Sequence, residues 1–282
     1  MKNNKVWGVV EGFYGRPYSF YEHCDLIQFL SHLKLNTYIY GPKSDPYHRK
    51  EYYKLYPWTK LKEFESLNNL AQKNNINFNF ALSPGTKPDI ELIVQKIKSM
   101  MQIEIKNFSL FYDDIKLKLN SENATIQTET ANEVYAMLKQ KFSKFSLFFC
   151  PTQYRGFEKT DYILTIAKKL HLDIKIFWTG KSVVSKQITE KDVDKITDLI
   201  GRPPLIWDNI FANDYIPGII LKFPYRNREP EIIAKVSGIL INPMNQYLQS
   251  KQLIYTAGEF FKDPYNYNPK KSWQKVKNLK IS

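Results

Sequence analysis

The chain is expected to fold as an α/β protein, a single closed (β/α)8 barrel, and three observations predict this. Short β-branched and aromatic runs alternate with longer amphipathic stretches from end to end, which implies parallel strands joined by helical crossovers. The runs number eight within 282 residues, which suits a closed barrel. An open doubly wound sheet would usually show a Gly-rich phosphate turn after an early strand. Here the first turn reads Glu11-Gly12-Phe13-Tyr14-Gly15-Arg16, without the GxGxxG spacing. No repeat of solenoid period and no Gly- or Ser-rich linker divides the chain. Residues 5–258 are therefore assigned to one TIM barrel, and 259–282 to a short basic, aromatic tail packed loosely on the barrel or extending from it as an arm.

The elements follow in order. Val6–Val10 opens as a strand and leads to a helical pattern over Tyr21–Leu33; Thr37–Tyr40 precedes Leu61–Asn74, and Asn77–Leu82 precedes Ile90–Met101. Phe108–Tyr112 is followed by Thr128–Phe142, Leu147–Cys150 by Tyr162–Leu170, and Ile174–Trp178 by Lys191–Ile200. After Leu205–Trp207 an irregular linker carries Pro217, Pro224 and Pro230, with a short helix at Glu231–Lys235. Gly238–Ile241 is the eighth strand, and the last helix begins near Met244 and passes a little beyond Ser250.

Composition narrows the function classes. Lys and Arg exceed Asp and Glu by 41 − 28 = +13, which favours anionic partners in general. The basic residues are scattered, however, except in the tail (Lys262, Lys270, Lys271, Lys275, Lys277, Lys280). With no recognised motif, nucleic-acid binding is not expected. Cys24 and Cys150 form no CxxC pair, and His23, His32, His48 and His171 lack metal-ligand spacing, so neither a disulfide framework nor a zinc site is expected. Thr179-Gly180-Lys181-Ser182 mimics the end of a P-loop, but Lys175 stands where its first Gly belongs. No run has the length of a membrane span, and Val6–Val10 is too short for a signal-peptide core, so a cytoplasmic location and no membrane partner are expected.

A barrel places its chemistry where its strands end. Those positions read Glu11-Gly12-Phe13-Tyr14, Gly41-Pro42-Lys43, Ser83-Pro84-Gly85, Asp113-Asp114, Pro151-Thr152-Gln153-Tyr154, Thr179-Gly180, Asp208-Asn209 with Asp214, and Asn242-Pro243. This density of polar groups implies a pocket for a small polar ligand. Asp113-Asp114 is the sharpest signal, because like charges at a desolvated strand end favour one protonated member, a proton donor near neutrality. The pair fits equally well a turn that caps the next segment. Carboxylate pairs also hold Mg²⁺, although apart from Asp214 no further acidic cluster stands at a neighbouring strand end. Two carboxyls beside aromatic and amide side chains are also the parts of a glycoside hydrolase. Adjacent aspartates cannot flank a bond from opposite faces, which suits the variant in which the sugar's own 2-acetamido oxygen is the nucleophile.

At these positions the chain resembles the catalytic domain of glycoside hydrolase family 84, the O-GlcNAcase and bacterial β-N-acetylglucosaminidase group. The resemblance rests on Gly8–Pro17, Asn36–Lys43, Ala81–Gly85, Phe111–Ile115, Pro151–Tyr154, Trp178–Gly180, Trp207–Asp214 and Ile241–Asn245, which stand in family order. It implies a retaining exo-β-N-acetylglucosaminidase working through an oxazoline, with no cofactor or metal. Its substrate would be a glycoconjugate bearing N-acetylglucosamine, such as protein modified on Ser or Thr. An inactive sugar-binding barrel, or a hydrolase of hyaluronan-like or cell-wall glycans, is the alternative. The resemblance further implies that Asp113 assists the acetamido group, that Asp114 is the general acid and base, and that Tyr154 bonds near the reacting centre. Gly12, Lys43, Asn209, Asp214 and Asn242 would hold the sugar, and Trp207 and Cys150 would wall the acetyl pocket. Tyr18, Ser44 and Gln153 depart from the residues usual in the family. The stalk and flanking modules of many relatives are not seen in this sequence, so a groove or dimer built from a stalk is not expected.

Overall fold

The computed structural model describes residues 5–216 and 218–278; Pro217, the first four residues and the end of the tail with Lys280 lie outside the described residues. The alternation seen in the sequence becomes eight parallel strands in sequential order, closed into a barrel by pairing of the last with the first. They are β1 (Val6–Glu11), β2 (Thr37–Tyr40), β3 (Asn77–Leu82), β4 (Asn107–Phe111), β5 (Ser146–Cys150), β6 (Lys175–Trp178), β7 (Leu205–Asp208) and β8 (Gly238–Ile241). Three match their expected limits, and the others differ by a residue at one or both ends.

The helices between them are α1 (Phe20–His32), α2 (Trp58–Lys73), α3 (Ile90–Met101), α4 (Ser121–Lys141), α5 (Asp161–Lys169), α6 (Glu190–Ile200), α7 (Ile232–Lys235) and α8 (Tyr247–Lys262). Several starts are set by side-chain caps. Ser19 and Thr189 form reciprocal capping boxes with Glu22 and Asp192, and Asp89, Asn120 and Thr160 each accept backbone N–H bonds.

Two helices exceed their expected lengths by more than a turn. Helix α4 begins at Ser121, ahead of the expected Thr128, and because only Ala124 and Gln127 are buried in that added stretch an apolar periodicity does not register it. Thr128 returns its hydroxyl to the Ala124 carbonyl, and Tyr162 donates to Gln127, so these groups enter the core satisfied. Helix α8 continues through residue 258 to Lys262 because Leu253, Ile254, Ala257 and Phe260 extend its buried face. A further helix, α9 (Pro269–Asn278), packs on α8 with Ser272 and Val276 buried, and Lys275 pairs with Glu259.

Period-two alternation separates two cores. Val10, Ile39, Ala81, Phe111, Phe148, Cys150, Phe177, Trp207 and Leu240 fill the barrel interior, while Val9, Tyr38, Phe80, Leu110 and Phe149 belong to the larger core that includes the helices. The same register sends Glu11 outward with Val9. There it is fully buried, bonded to the Tyr18 amide, to His23 of α1 and to the Tyr38 hydroxyl. Its position at the end of a strand is therefore structural. Asp208 is likewise engaged, by Arg228 through two contacts of 2.8 and 2.6 Å and by the Tyr225 hydroxyl at 2.8 Å. Lys181 of the P-loop mimic pairs with Asp192 at 3.1 Å, at the start of α6.

The Asp208–Arg228 side chains are each 1% exposed, so removing one partner strands a buried charge. Arg228→Met is expected to cost about 3–5 kcal/mol in urea unfolding. Adding Asp208→Leu should recover much of that loss, and an equal or greater loss in the double variant would contradict this account.

Candidate active site

The inward register that fills the barrel also selects the residues at its carboxyl mouth. Continued one step beyond the strands, it points Gly12, Lys43, Asp113, Thr179, Asn209 and Asn242 the same way as Val10, Gly41, Phe111, Phe177, Trp207 and Leu240. The structure brings all ten candidate residues, Gly12, Lys43, Asp113, Asp114, Cys150, Tyr154, Trp207, Asn209, Asp214 and Asn242, to the lining of one cavity of about 440 Å³. Tyr14, Thr179, Val183, Val184, Ala212 and Tyr215 complete it. The apolar ones among these were not singled out in the sequence, where nothing distinguishes a loop valine at a cavity from one on a surface. Tyr14 stood in the first strand-end turn but carried no assigned role.

The floor of the cavity is set by Trp207. A Cβ on Gly12 would lie 2.1 Å from its ring, so only glycine lets the indole lie against the end of β1. The indole N–H donates to Asn209 Oδ1 at 2.9 Å, and the Gly12 amide donates to Asn242 Oδ1 at 3.1 Å. These two fixed donors orient both carboxamides. Asn242 then donates to Asn209 Oδ1 at 2.9 Å, and Asn209 to the Val183 carbonyl at 2.8 Å. Both asparagines hold the floor together as well as facing the cavity. Asp214 Oδ2 accepts from the Tyr14 amide at 2.8 Å, which ties the loop after β7 to the loop after β1.

The carboxylates differ in their surroundings. Asp113 is buried and receives a charge-assisted bond from Lys43 through Oδ2, while its Oδ1 is buried with no hydrogen-bond partner among the described residues. Lys43 in turn lies 5.3 Å from the ring centres of both Phe111 and Trp207. Asp114 is exposed, and both its oxygens accept phenol bonds, Oδ1 from Tyr154 at 2.8 Å and Oδ2 from Tyr14 at 3.0 Å. Burial and then the negative charge of Asp114 push both phenols well above the usual tyrosine range, so they stay protonated donors. Burial, and next the Asp113 charge, push the Cys150 thiol up, so it acts as a neutral wall.

Adjacent strand residues point to opposite sides, yet both carboxyls line one cavity. Asp114 achieves this with φ of +54°, a left-handed backbone that asparagine and aspartate tolerate better than other side chains. The departures from the family pattern serve packing and turns. Tyr18 donates to the Met244 carbonyl at 2.6 Å, Ser44 accepts from the Gly15 amide at 3.2 Å, and Gln153 donates to the Glu158 carbonyl at 2.7 Å. Among the described residues no group of three or more His, Cys, Asp or Glu is placed to hold a metal ion, and no helix is long and apolar enough to cross a membrane.

A barrel with this mouth defines a class. A family model described as β-N-acetylglucosaminidase matches residues 7–280, and the chain belongs to that family, the glycoside hydrolase family 84 group that its motifs resemble. It is 32% identical over 278 residues to the protein O-GlcNAcase of Rattus norvegicus, an alignment covering 92% of this chain and 30% of that protein. Among solved structures it is similar to a mutant O-GlcNAc hydrolase of Thermobaculum terrenum, with a TM-score of 0.91 and 31% identity over 96% of this chain and 62% of that one. It is also similar to CpGH84B, with a TM-score of 0.90 and 29% identity over 96% of this chain and 50% of that one. The chain thus spans about 30% of the length of the curated relatives it matches.

His48, on the loop after β2, supports the site from behind. It is fully buried, shares Nδ1 with the Ala81 carbonyl at 2.8 Å, and leaves Nε2 without a partner among the described residues. Burial, and next the Lys43 charge, press its pKa down from 6.5 to about 3, so the folded protein holds it neutral while the unfolded chain protonates it below 6.5. Its contribution is therefore present above pH 6.5 and is lost as the pH falls towards 3, at roughly 1.4 kcal/mol per pH unit. Urea unfolding of His48→Gln across that window should give a flatter dependence than the wild type; parallel curves would show that His48 does not titrate on unfolding.

Proposed function

We propose that the chain is a retaining exo-β-N-acetylglucosaminidase that uses the acetamido oxygen of its substrate as nucleophile. The observation that carries this reading is Asp113 Oδ1, a buried acceptor without a partner among the described residues, on a side chain that lines the cavity. An unpaired buried acceptor costs about 1–3 kcal/mol, and an amide N–H from the ligand would relieve that cost. The cavity of about 440 Å³ suits a single amido sugar.

In the first step the acetamido oxygen bonds to C1 as the C1–O bond to the aglycone breaks. Asp114 transfers its proton to the leaving oxygen, and the positive charge that spreads over the new ring is held through its N–H by Asp113. In the second step water attacks C1, Asp114 takes its proton, and the ring opens to restore the acetamide. The configuration at C1 is inverted twice and so retained. Tyr154 and Tyr14 orient Asp114, and one of these phenols must turn its O–H aside when the carboxyl is protonated. Lys43 balances the Asp113 charge, Trp207 and Cys150 enclose the acetyl group, and Gly12, Asn209, Asp214 and Asn242 hold the sugar.

The relatives named for O-GlcNAc removal favour N-acetylglucosamine on Ser or Thr of proteins as the natural substrate. Hydrolysis of a glycopeptide, compared with that of chitin and hyaluronan fragments, tests this choice.

The wild type is expected to cleave an aryl β-N-acetylglucosaminide but not the analogue with hydroxyl in place of acetamido; equal turnover of both would remove the acetamido nucleophile. Asp113→Asn should lose about 100-fold or more in kcat. Asp114→Asn keeps the left-handed turn and should lose more on poor leaving groups than on good ones. Asp114→Ala adds a backbone cost of about 1 kcal/mol, visible as a lower Tm than that of Asp114→Asn.

A further inference from the structure

The two carboxyls face one cavity only while the chain turns left-handed at Asp114. What holds that turn lies outside the cavity lining. Arg49, on the loop between β2 and α2, donates from Nη2 to the carbonyls of both Asp113 and Asp114, at 3.3 and 3.2 Å. It forms no ion pair among the described residues, and its Nη1 is buried without a partner among them. An arginine serving stability alone gains most by filling its donors or by pairing with a carboxylate. This one spends its contact on the backbone of two successive residues at a strand end. Its loop is anchored independently: the His48 carbonyl accepts from the Ser83 amide at 2.9 Å, and Lys43 from the same loop pairs with Asp113.

We infer that Arg49 is a positioning residue, drawing the Asp113 and Asp114 carbonyls to one guanidinium nitrogen and so fixing the turn that aims the Asp114 carboxyl at the cavity. The catalytic consequence rests on the function proposed above. Loss of Arg49 should leave sugar binding intact and misplace the proton donor, and a misplaced donor matters in proportion to how much protonation the leaving group needs.

The test compares wild type, Arg49→Gln and Arg49→Lys on two aryl β-N-acetylglucosaminides, one with a dinitrophenyl leaving group and one with plain phenyl. Arg49→Gln should lose about tenfold or more in kcat on the phenyl substrate, against about threefold or less on the dinitrophenyl one. Its KM and its calorimetric affinity for N-acetylglucosamine should stay within about twofold of wild type. Arg49→Lys, which keeps the charge but not the planar donor, should recover part of the phenyl rate, and its smaller split decides the matter if Arg49→Gln does not fold. Equal losses on both substrates, a loss carried by KM, or wild-type behaviour in both variants would overturn the inference while leaving the proposed function standing. An inert wild type would overturn the proposed function and this inference together.

Discussion

The pleat of a strand sends neighbouring side chains to opposite sides, and the site depends on how this chain escapes that rule at one residue. Along β4 the inward positions run to Phe111 and then to Asp113, so Asp113 enters the cavity by register alone. Asp114 would belong with the outward set, facing the helices. The left-handed backbone at Asp114 turns it back, and two chemically equal side chains arrive in one cavity from different directions. Their unlike environments follow: one is buried against an ammonium group, the other is exposed between two phenols.

Much of the remaining structure serves to keep that corner in place. The loop after β2 supplies Lys43 to one carboxylate, Arg49 to the two carbonyls and a neutral His48 to the neighbouring strand β3. The floor is a separate unit, in which Gly12 gives way to the Trp207 ring and two carboxamides are oriented by fixed donors. Asp214 joins the two halves by holding the Tyr14 amide. A polar mouth thus rests on an apolar, aromatic barrel interior, and the acidic side chains Glu11 and Asp208 at neighbouring strand ends are held by partners away from the cavity.

The fold was legible because the pattern that specifies it is local. Strands such as Thr37–Tyr40 and Asn77–Leu82 are short β-rich runs between turn signals, and their limits coincide with those observed. Legibility failed where burial was polar. The start of α4, ahead of Thr128, buries only Ala124 and Gln127, and the Tyr162 hydrogen bond that permits Gln127 to be buried is not announced by composition. The far half of α8 lies beyond the last strand-end signal, and its extent follows from the buried face of Leu253, Ile254, Ala257 and Phe260. At the site, all ten candidate residues line the cavity, yet nothing in the sequence marks the contacts of Tyr14 and Arg49 with the Asp113-Asp114 corner: a tyrosine in a turn and an arginine in a basic chain carry no signal of their own.

By itself the sequence determined the alternation of strand and helix, the count of eight, and the inventory of polar groups at the strand ends, since each is written in near neighbours along the chain. Tertiary structure alone decided which of those groups are chemistry and which are scaffold. Glu11 and Asp113 both stand where a strand ends, and one faces His23 and Tyr38 while the other faces the cavity. That choice depends on register against the helices and on partners dozens of residues away, and on a left-handed turn whose φ no spacing of residues encodes.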